Sequence, residues 1–183
     1  MSIVFGAIVK GKLAIGCDSG SSAGNLVYPA SEKSSWQKIH QIGPAFIGHV
    51  GNPVYHTVLD NLALHHSELF DFSDRVSIHR SFDRMQALLV NDYGLRPQGD
   101  DFAGSGLYLL IAVNGKLYSV GTERGVDEYK RFWAIGSGDQ IALGAAEASY
   151  AGAKSAKQLV QDVITIACKY DLHSMEPMQI LEL

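Results

Sequence analysis

Two apolar, β-branched-rich runs open the chain at residues 3–9 and 12–18, and the Lys10-Gly11 pair between them predicts a β-hairpin. A tight hairpin sets the start of its first strand beside the end of its second, so Ser2 and Asp18 are expected to be neighbours. Residues 19–35 are rich in Ser, Gly, Asn and Pro with no sustained apolar period, and predict a loop or irregular edge. A second hairpin is predicted from residues 36–42 and 45–50 across Gly43-Pro44, with Lys38 on one strand and Gly48 on the other.

Helical periodicity follows. Asn52-Pro53 starts a predicted helix whose apolar stripe is Val54, Val58 and Leu62, and a second helix is expected over 81–93 with Phe82, Met85 and Leu89 on one face. The Gly/Asp-rich stretch 94–106 leads into strands at 107–113 and 116–121, joined by the strong hairpin signal Asn114-Gly115. Residues 122–131 read as charged and solvated, and 132–135 as a short strand that breaks at Gly136-Ser137-Gly138. An alanine-rich helix over 139–150 offers Ile141, Ala145 and Ala148 as a small-residue face. Ser155 caps a last helix with Leu159, Val163, Ile166 and Tyr170 facing in, and 177–183 reads as a final strand. This order does not alternate β with α. It predicts an α+β fold, a four-layer αββα sandwich of two antiparallel sheets flanked by helices, in one domain over residues 1–183.

Composition narrows the function classes. With 183 residues, 46% hydrophobic and 19% charged, the chain suits one globular domain. A net charge of −4 and the lack of a Lys/Arg run argue against nucleic acid or an anionic membrane as partner. No apolar run approaches the ~18–20 residues of a membrane span, and no charged segment precedes a long apolar one at the start, so a cytoplasmic location is expected. Cys17 and Cys168 lack metal-ligand spacing and read as small core residues of a reducing compartment. The seven histidines are scattered, and His65-His66 would point in different directions on a helix, so no metal site is expected. Gly104-Ser105-Gly106 lacks the remaining glycine of a dinucleotide fingerprint.

The chemistry begins at Ser2. If Met1 is removed, this residue carries both a hydroxyl nucleophile and an α-amine, and an α-amine titrates near pH 7.7–8.0, where it can accept a proton. Serine at the second position is small enough for methionine removal.

Taken in order, Ser2, Asp18, Lys38 within Gln37-Lys38-Ile39-His40-Gln41-Ile42, Gly48-His49-Val50-Gly51, Gly136-Ser137-Gly138 and Asp171-Leu172-His173-Ser174 resemble the motifs of the β-type proteasome subunits and the bacterial HslV peptidase. These are N-terminal nucleophile hydrolases, and the resemblance runs over nearly the whole chain. It implies Ser2 in the place of the family's N-terminal threonine, and Asp18 and Lys38 as its acidic residue and lysine. It further implies Gly48 as an oxyanion N–H donor, with Ser137, Asp171 and Ser174 around the amine. Carried over by position, Trp36, His40, Phe46 and Val50 line the pocket for the side chain before the scissile bond. That pocket would be apolar and would favour uncharged residues over Lys/Arg or Asp/Glu.

Each role has a physical basis. Lys38 beside the amine would disfavour its protonation by like-charge repulsion, and Asp18 would hold Lys38 in place. A backbone N–H aimed at the developing oxyanion contributes about 3–4 kcal/mol. Serine in place of threonine loses the β-methyl that stiffens χ1, so Ser2 is expected to be less preorganised. The reading is a peptidase acting on peptides or unfolded proteins, needing no metal or organic cofactor. The resemblance implies a ring of identical subunits, stacked in pairs, with an ATP-dependent unfoldase as partner; the chain carries no phosphate loop of its own. Two other readings stay open: a silent structural ring subunit, favoured by a retained Met1, and an amidase acting on a small non-peptide amide.

Overall fold

The computed structural model describes residues 2–23, 25–94 and 107–183. Met1 and Gly104-Ser105-Gly106 therefore lie outside the described residues, as does most of the stretch 94–106. In chain order the elements are β1 (Ile3–Val9), β2 (Lys12–Cys17), β3 (Ser22–Ala23), β4 (Leu26–Val27), β5 (Ile39–Ile42), β6 (Ala45–Gly51), α1 (Val54–His65) and α2 (Arg75–Asn91). There follow β7 (Leu107–Val113), β8 (Lys116–Val120), β9 (Val126–Tyr129), β10 (Phe132–Gly136), α3 (Asp139–Ser149), α4 (Ala156–Tyr170) and β11 (Gln179–Glu182).

These build the four expected layers. One antiparallel sheet runs β10-β1-β2-β11 and the other β5-β6-β7-β8-β9, with β3-β4 as a small ribbon. The period-2 geometry of β1 divides its apolar run between two interiors. Ile3, Phe5, Ala7 and Val9 pack under α3 and α4, while Val4 meets Ile39, Val50 and Leu110 of the second sheet. A strand covered on both faces needs an unbroken apolar run, which is what residues 3–9 supply. The outer face of the second sheet, with Ile47, Leu109 and Ile111, is covered by α1 and α2.

Several predicted details differ. α2 begins six residues before residue 81, because Asp74 caps it by accepting from the N–H groups of Val76 and Ser77 at 2.8 Å each, a contribution of about 1 kcal/mol. Within 122–131 the structure forms β9, an edge strand on β8 whose outward residues are charged. Ile166 and Tyr170 are exposed; the stripe of α4 that packs on β1 is Leu159, Val160, Val163, Ile164 and Ala167. On α3 the buried pair is Ala142 and Ala146, one step round from the predicted face. Both adjacent stripes of such helices are apolar, so periodicity alone cannot choose between them. Among the described residues no helix is long and apolar enough to cross a membrane.

Candidate active site

The β1-β2 hairpin brings Asp18 under the start of the chain, as its register requires. The Ile3 N–H donates to Asp18 Oδ1 at 3.0 Å, and the Asp18 N–H returns to the Ile3 carbonyl at 3.2 Å. The other carboxylate oxygen accepts from the N–H groups of Gly20 at 2.7 Å and Met175 at 3.0 Å. Asp18 is completely buried, and these bonds replace the water it has lost.

Lys38 arrives from the second sheet, immediately before β5. Its Nζ lies 2.6 Å from Asp18 Oδ1 and donates to Ser2 Oγ at 2.7 Å. The Lys38 carbonyl is fixed in turn by the His49 backbone N–H at 3.1 Å and by His49 Nδ1 at 3.2 Å. Three residues far apart in sequence thus form one buried line from carboxylate through ammonium to hydroxyl.

On the opposite side, Ser137 Oγ shares its one proton between Asp171 Oδ2 at 2.8 Å and, more weakly, the Ser2 carbonyl at 3.4 Å, and Ser174 Oγ donates to the same carboxylate oxygen at 2.6 Å. Burial would push the Asp171 carboxyl up, but the hydroxyls of Ser174 and Ser137 and the surroundings of His173 outweigh it and hold the carboxyl below its usual range. Gly136, at φ +111°, pairs with Ile3 and leaves its space to the Ser2 carbonyl.

A cleft of about 290 Å³ opens beside Ser2 and Lys38, lined further by Lys33, Trp36, His49, Val50, Gly51 and a group of serines, Ser19, Ser21, Ser22 and Ser35. Of the four residues expected in the pocket, Trp36 and Val50 line this cleft. Phe46 does not: it pairs with Gln41 and Ala112 four residues along β6 from Val50, about 13 Å away, and packs between the sheets. His40 also turns away, onto the α1 side, where its Nδ1 meets Asp60 Oδ1 at 2.7 Å. The cleft is more polar than expected and carries a cation, Lys33, whose ammonium is pushed below its usual range by burial and by Lys38.

Gly48 is also displaced from its expected role. It lies against Val4 inside the sandwich, where a β-carbon would collide with that side chain. Because the His49 N–H points to β5, strand alternation turns the Gly48 N–H toward Leu110 on β7, into the ladder and away from the cleft. The glycine of Gly-x-x-Gly that lines the cleft is Gly51, whose N–H has the same sense as that of His49 but lies beyond the end of β5.

The sequence reading also missed a gathering of histidines. His40, His49 and His56 of α1 offer ring nitrogens all within 4.8 Å of one another. Their shared face of β5 and β6 and the approach of α1 are tertiary facts, invisible as spacing. Burial pushes the His49 imidazole down to about 4 and also lowers His40, against the pull of Asp60. The two thiols are poor nucleophiles, since burial pushes Cys17 up to about 11 and Cys168 to about 12.

Comparison with known proteins agrees with this architecture. Thiobacillus denitrificans BPH superposes with a TM-score of 0.92 at 24% identity, covering 99% of this chain and 97% of that one. The same protein in complex with epoxomicin gives 0.91 at 22%, with the same coverage. Eukaryotic HslV from Trypanosoma brucei gives 0.72 at 19% identity, covering 99% and 98%. A comparison with curated proteins gave no significant match. The family model described as proteasome subunit matches residues 2–182, and with that match over nearly its whole length the chain belongs to the proteasome subunit family.

Proposed function

We propose that the protein is a proteasome-type peptidase subunit that hydrolyses peptide bonds with Ser2 as an N-terminal nucleophile after loss of Met1. The observation that carries this reading is Lys38 Nζ, held between Ser2 Oγ at 2.7 Å and Asp18 Oδ1 at 2.6 Å at the edge of a cleft. In the reaction, Ser2 Oγ attacks the scissile carbonyl carbon while its proton passes to the α-amine of the same residue. The Lys38 ammonium, donating to Oγ, stabilises the negative charge that grows there as the proton leaves. The carbonyl oxygen takes the charge of the tetrahedral intermediate, and the Gly51 N–H is the donor that meets it. Collapse breaks the C–N bond, the leaving amine takes the proton back, and water then hydrolyses the ester on Ser2. Ser137 acts by anchoring the Ser2 carbonyl, which fixes the hydroxyl and amine of that residue relative to the cleft.

In this reading the subunits close into stacked rings in the cytosol, with the clefts facing inward, and an ATP-dependent unfoldase feeds them peptide or unfolded protein. The epoxomicin complex of Thiobacillus denitrificans BPH makes that compound the natural probe. Intact-mass measurement before and after incubation tests the proposal. Loss of Met1 and a gain of one epoxomicin per chain, absent in Ser2→Ala, is the expected result. Retained Met1 with no adduct would assign the chain to the silent ring subunits instead.

A further inference from the structure

We propose that His40, His49 and His56 form a binding site for one borderline divalent cation of the Zn²⁺ type, set between the β5-β6 hairpin and α1 at the wall of the cleft. The register of the hairpin creates the first half of it. His40 pairs with Ile47 and His49 with Lys38, so the two histidines are diagonal neighbours on one face of the sheet, with ring centroids 5.2 Å apart. That face is the one α1 covers, and His56 comes down onto it, its ring 4.9 Å from His40 and 6.0 Å from His49.

The nitrogens are prepared for a metal in three ways. His40 is only 6% exposed, and its buried Nε2 has no hydrogen-bond partner among the described residues, a costly arrangement for a group that could otherwise be solvated. Its Nδ1 is engaged by Asp60 Oδ1 at 2.7 Å, and a carboxylate on the far nitrogen is the arrangement that orients a metal-binding imidazole and raises its basicity. His49 is held in the same manner, with Nδ1 turned to the Lys38 carbonyl at 3.2 Å so that Nε2 is the nitrogen left to bind. Zn–N bonds of about 2.0–2.1 Å set tetrahedral ligand nitrogens roughly 3.3 Å apart. The three rings reach this from within 4.8 Å by side-chain rotation, in which His56, 24% exposed, gives up the 2.8 Å contact of its Nε2 with Ser35 Oγ. Imidazoles alone select Zn²⁺, Co²⁺, Ni²⁺ or Cu²⁺ over Mg²⁺ and Ca²⁺, which need oxygen ligands.

An ion here ties β5, β6 and α1 together with one set of ligands, next to the strand end that fixes Lys38. The site rests on the histidine geometry and not on peptidase activity, so the two proposals stand or fall separately. The test is titration of the tag-free full chain, stripped with chelator, with Co²⁺ read by its visible d–d absorption and with Zn²⁺ read by calorimetry. One ion per chain is expected, with a d–d band typical of low coordination number, a rise in Tm, and binding lost in His56→Gln. Asp60→Asn, which leaves all three ligands in place, is expected to weaken binding by about 10–100-fold. Absence of stoichiometric binding, or binding unchanged in His56→Gln, would overturn the proposal. Since His56 is partly exposed on α1, that variant is expected to keep its fold, which circular dichroism checks.

Discussion

Gly136 has no room for a side chain because the carbonyl of Ser2 occupies the space: a β-carbon built there would overlap the carbonyl oxygen and carbon and press on Val50. Its φ of +111° is in addition one that L side chains rarely adopt. The residue that ends β10 thus sets how closely Ser2, the residue before β1, is held.

Gly136→Ala is therefore expected to displace Ser2 as well as strain the turn. The strain alone costs on the order of 1–3 kcal/mol, seen as a lower Tm. Peptide hydrolysis should fall further than stability does, by about 10²-fold, because a shift of an ångström at the nucleophile is enough to lose the attack geometry. Thermal unfolding and kcat/KM measured on the same preparation check both.

Asp18→Asn is expected to be poorly tolerated although it keeps the shape. Both carboxylate oxygens accept backbone N–H bonds, Oδ1 from Ile3 and Oδ2 from Gly20 and Met175. An amide must therefore turn its NH₂ toward a donor whichever way it is placed, and Lys38 loses its counter-ion. Breaking a buried pair in this way costs about 3–5 kcal/mol, measurable by urea unfolding. Lys38→Met, which removes the cation and keeps the stem, leaves the buried Asp18 carboxylate without its counter-ion, so it should cost a comparable amount of stability and also abolish the epoxomicin adduct.

Lys33 lines the cleft, and among the described residues that do there is no carboxylate. Cleavage after Lys or Arg is expected to be disfavoured, and Lys33→Glu should raise it relative to cleavage after Asp or Glu. For a partly exposed pair the change is about fivefold, corresponding to up to ~1 kcal/mol, and it should shrink at high salt. A fluorogenic peptide panel at two ionic strengths reads this out. An unchanged ratio would remove Lys33 from the selectivity of the cleft.

Acid stability should depend on Asp171. Its folded-state carboxyl titrates below the ordinary value of 3.8, so it contributes stability that is present above that value and lost as pH falls through the depressed one. Asp171→Asn removes this contribution. The difference in unfolding free energy between the two proteins should be constant near neutrality and shrink below about pH 4. Urea titrations at stepped pH decide it.

Much of the site was legible because it is held by local rules. The Lys10-Gly11 turn fixes the register that sets Asp18 by Ile3, and the breaks at Gly136-Ser137-Gly138 and after α4 put Ser137, Asp171 and Ser174 at element ends, where side chains bond to backbone and to one another. Phe46, His40 and Gly48 were misjudged for a different reason. Each sits in a strand whose two faces are both covered, so alternation alone does not mark which interior a side chain enters.

The sequence by itself determined the order of the main elements, the three hairpins and the four-layer class, since turn chemistry and hydrophobic period act over a few residues, and resemblance to family motifs named the six polar residues that converge at the chain's start. Only the tertiary structure decided which glycine faces the cleft, that Lys33 joins its lining, and that three distant histidines meet. Those outcomes depend on how one sheet is set against the other and how α1 lies across β5 and β6, and such packing is fixed by the summed fit of many side chains rather than by any local run.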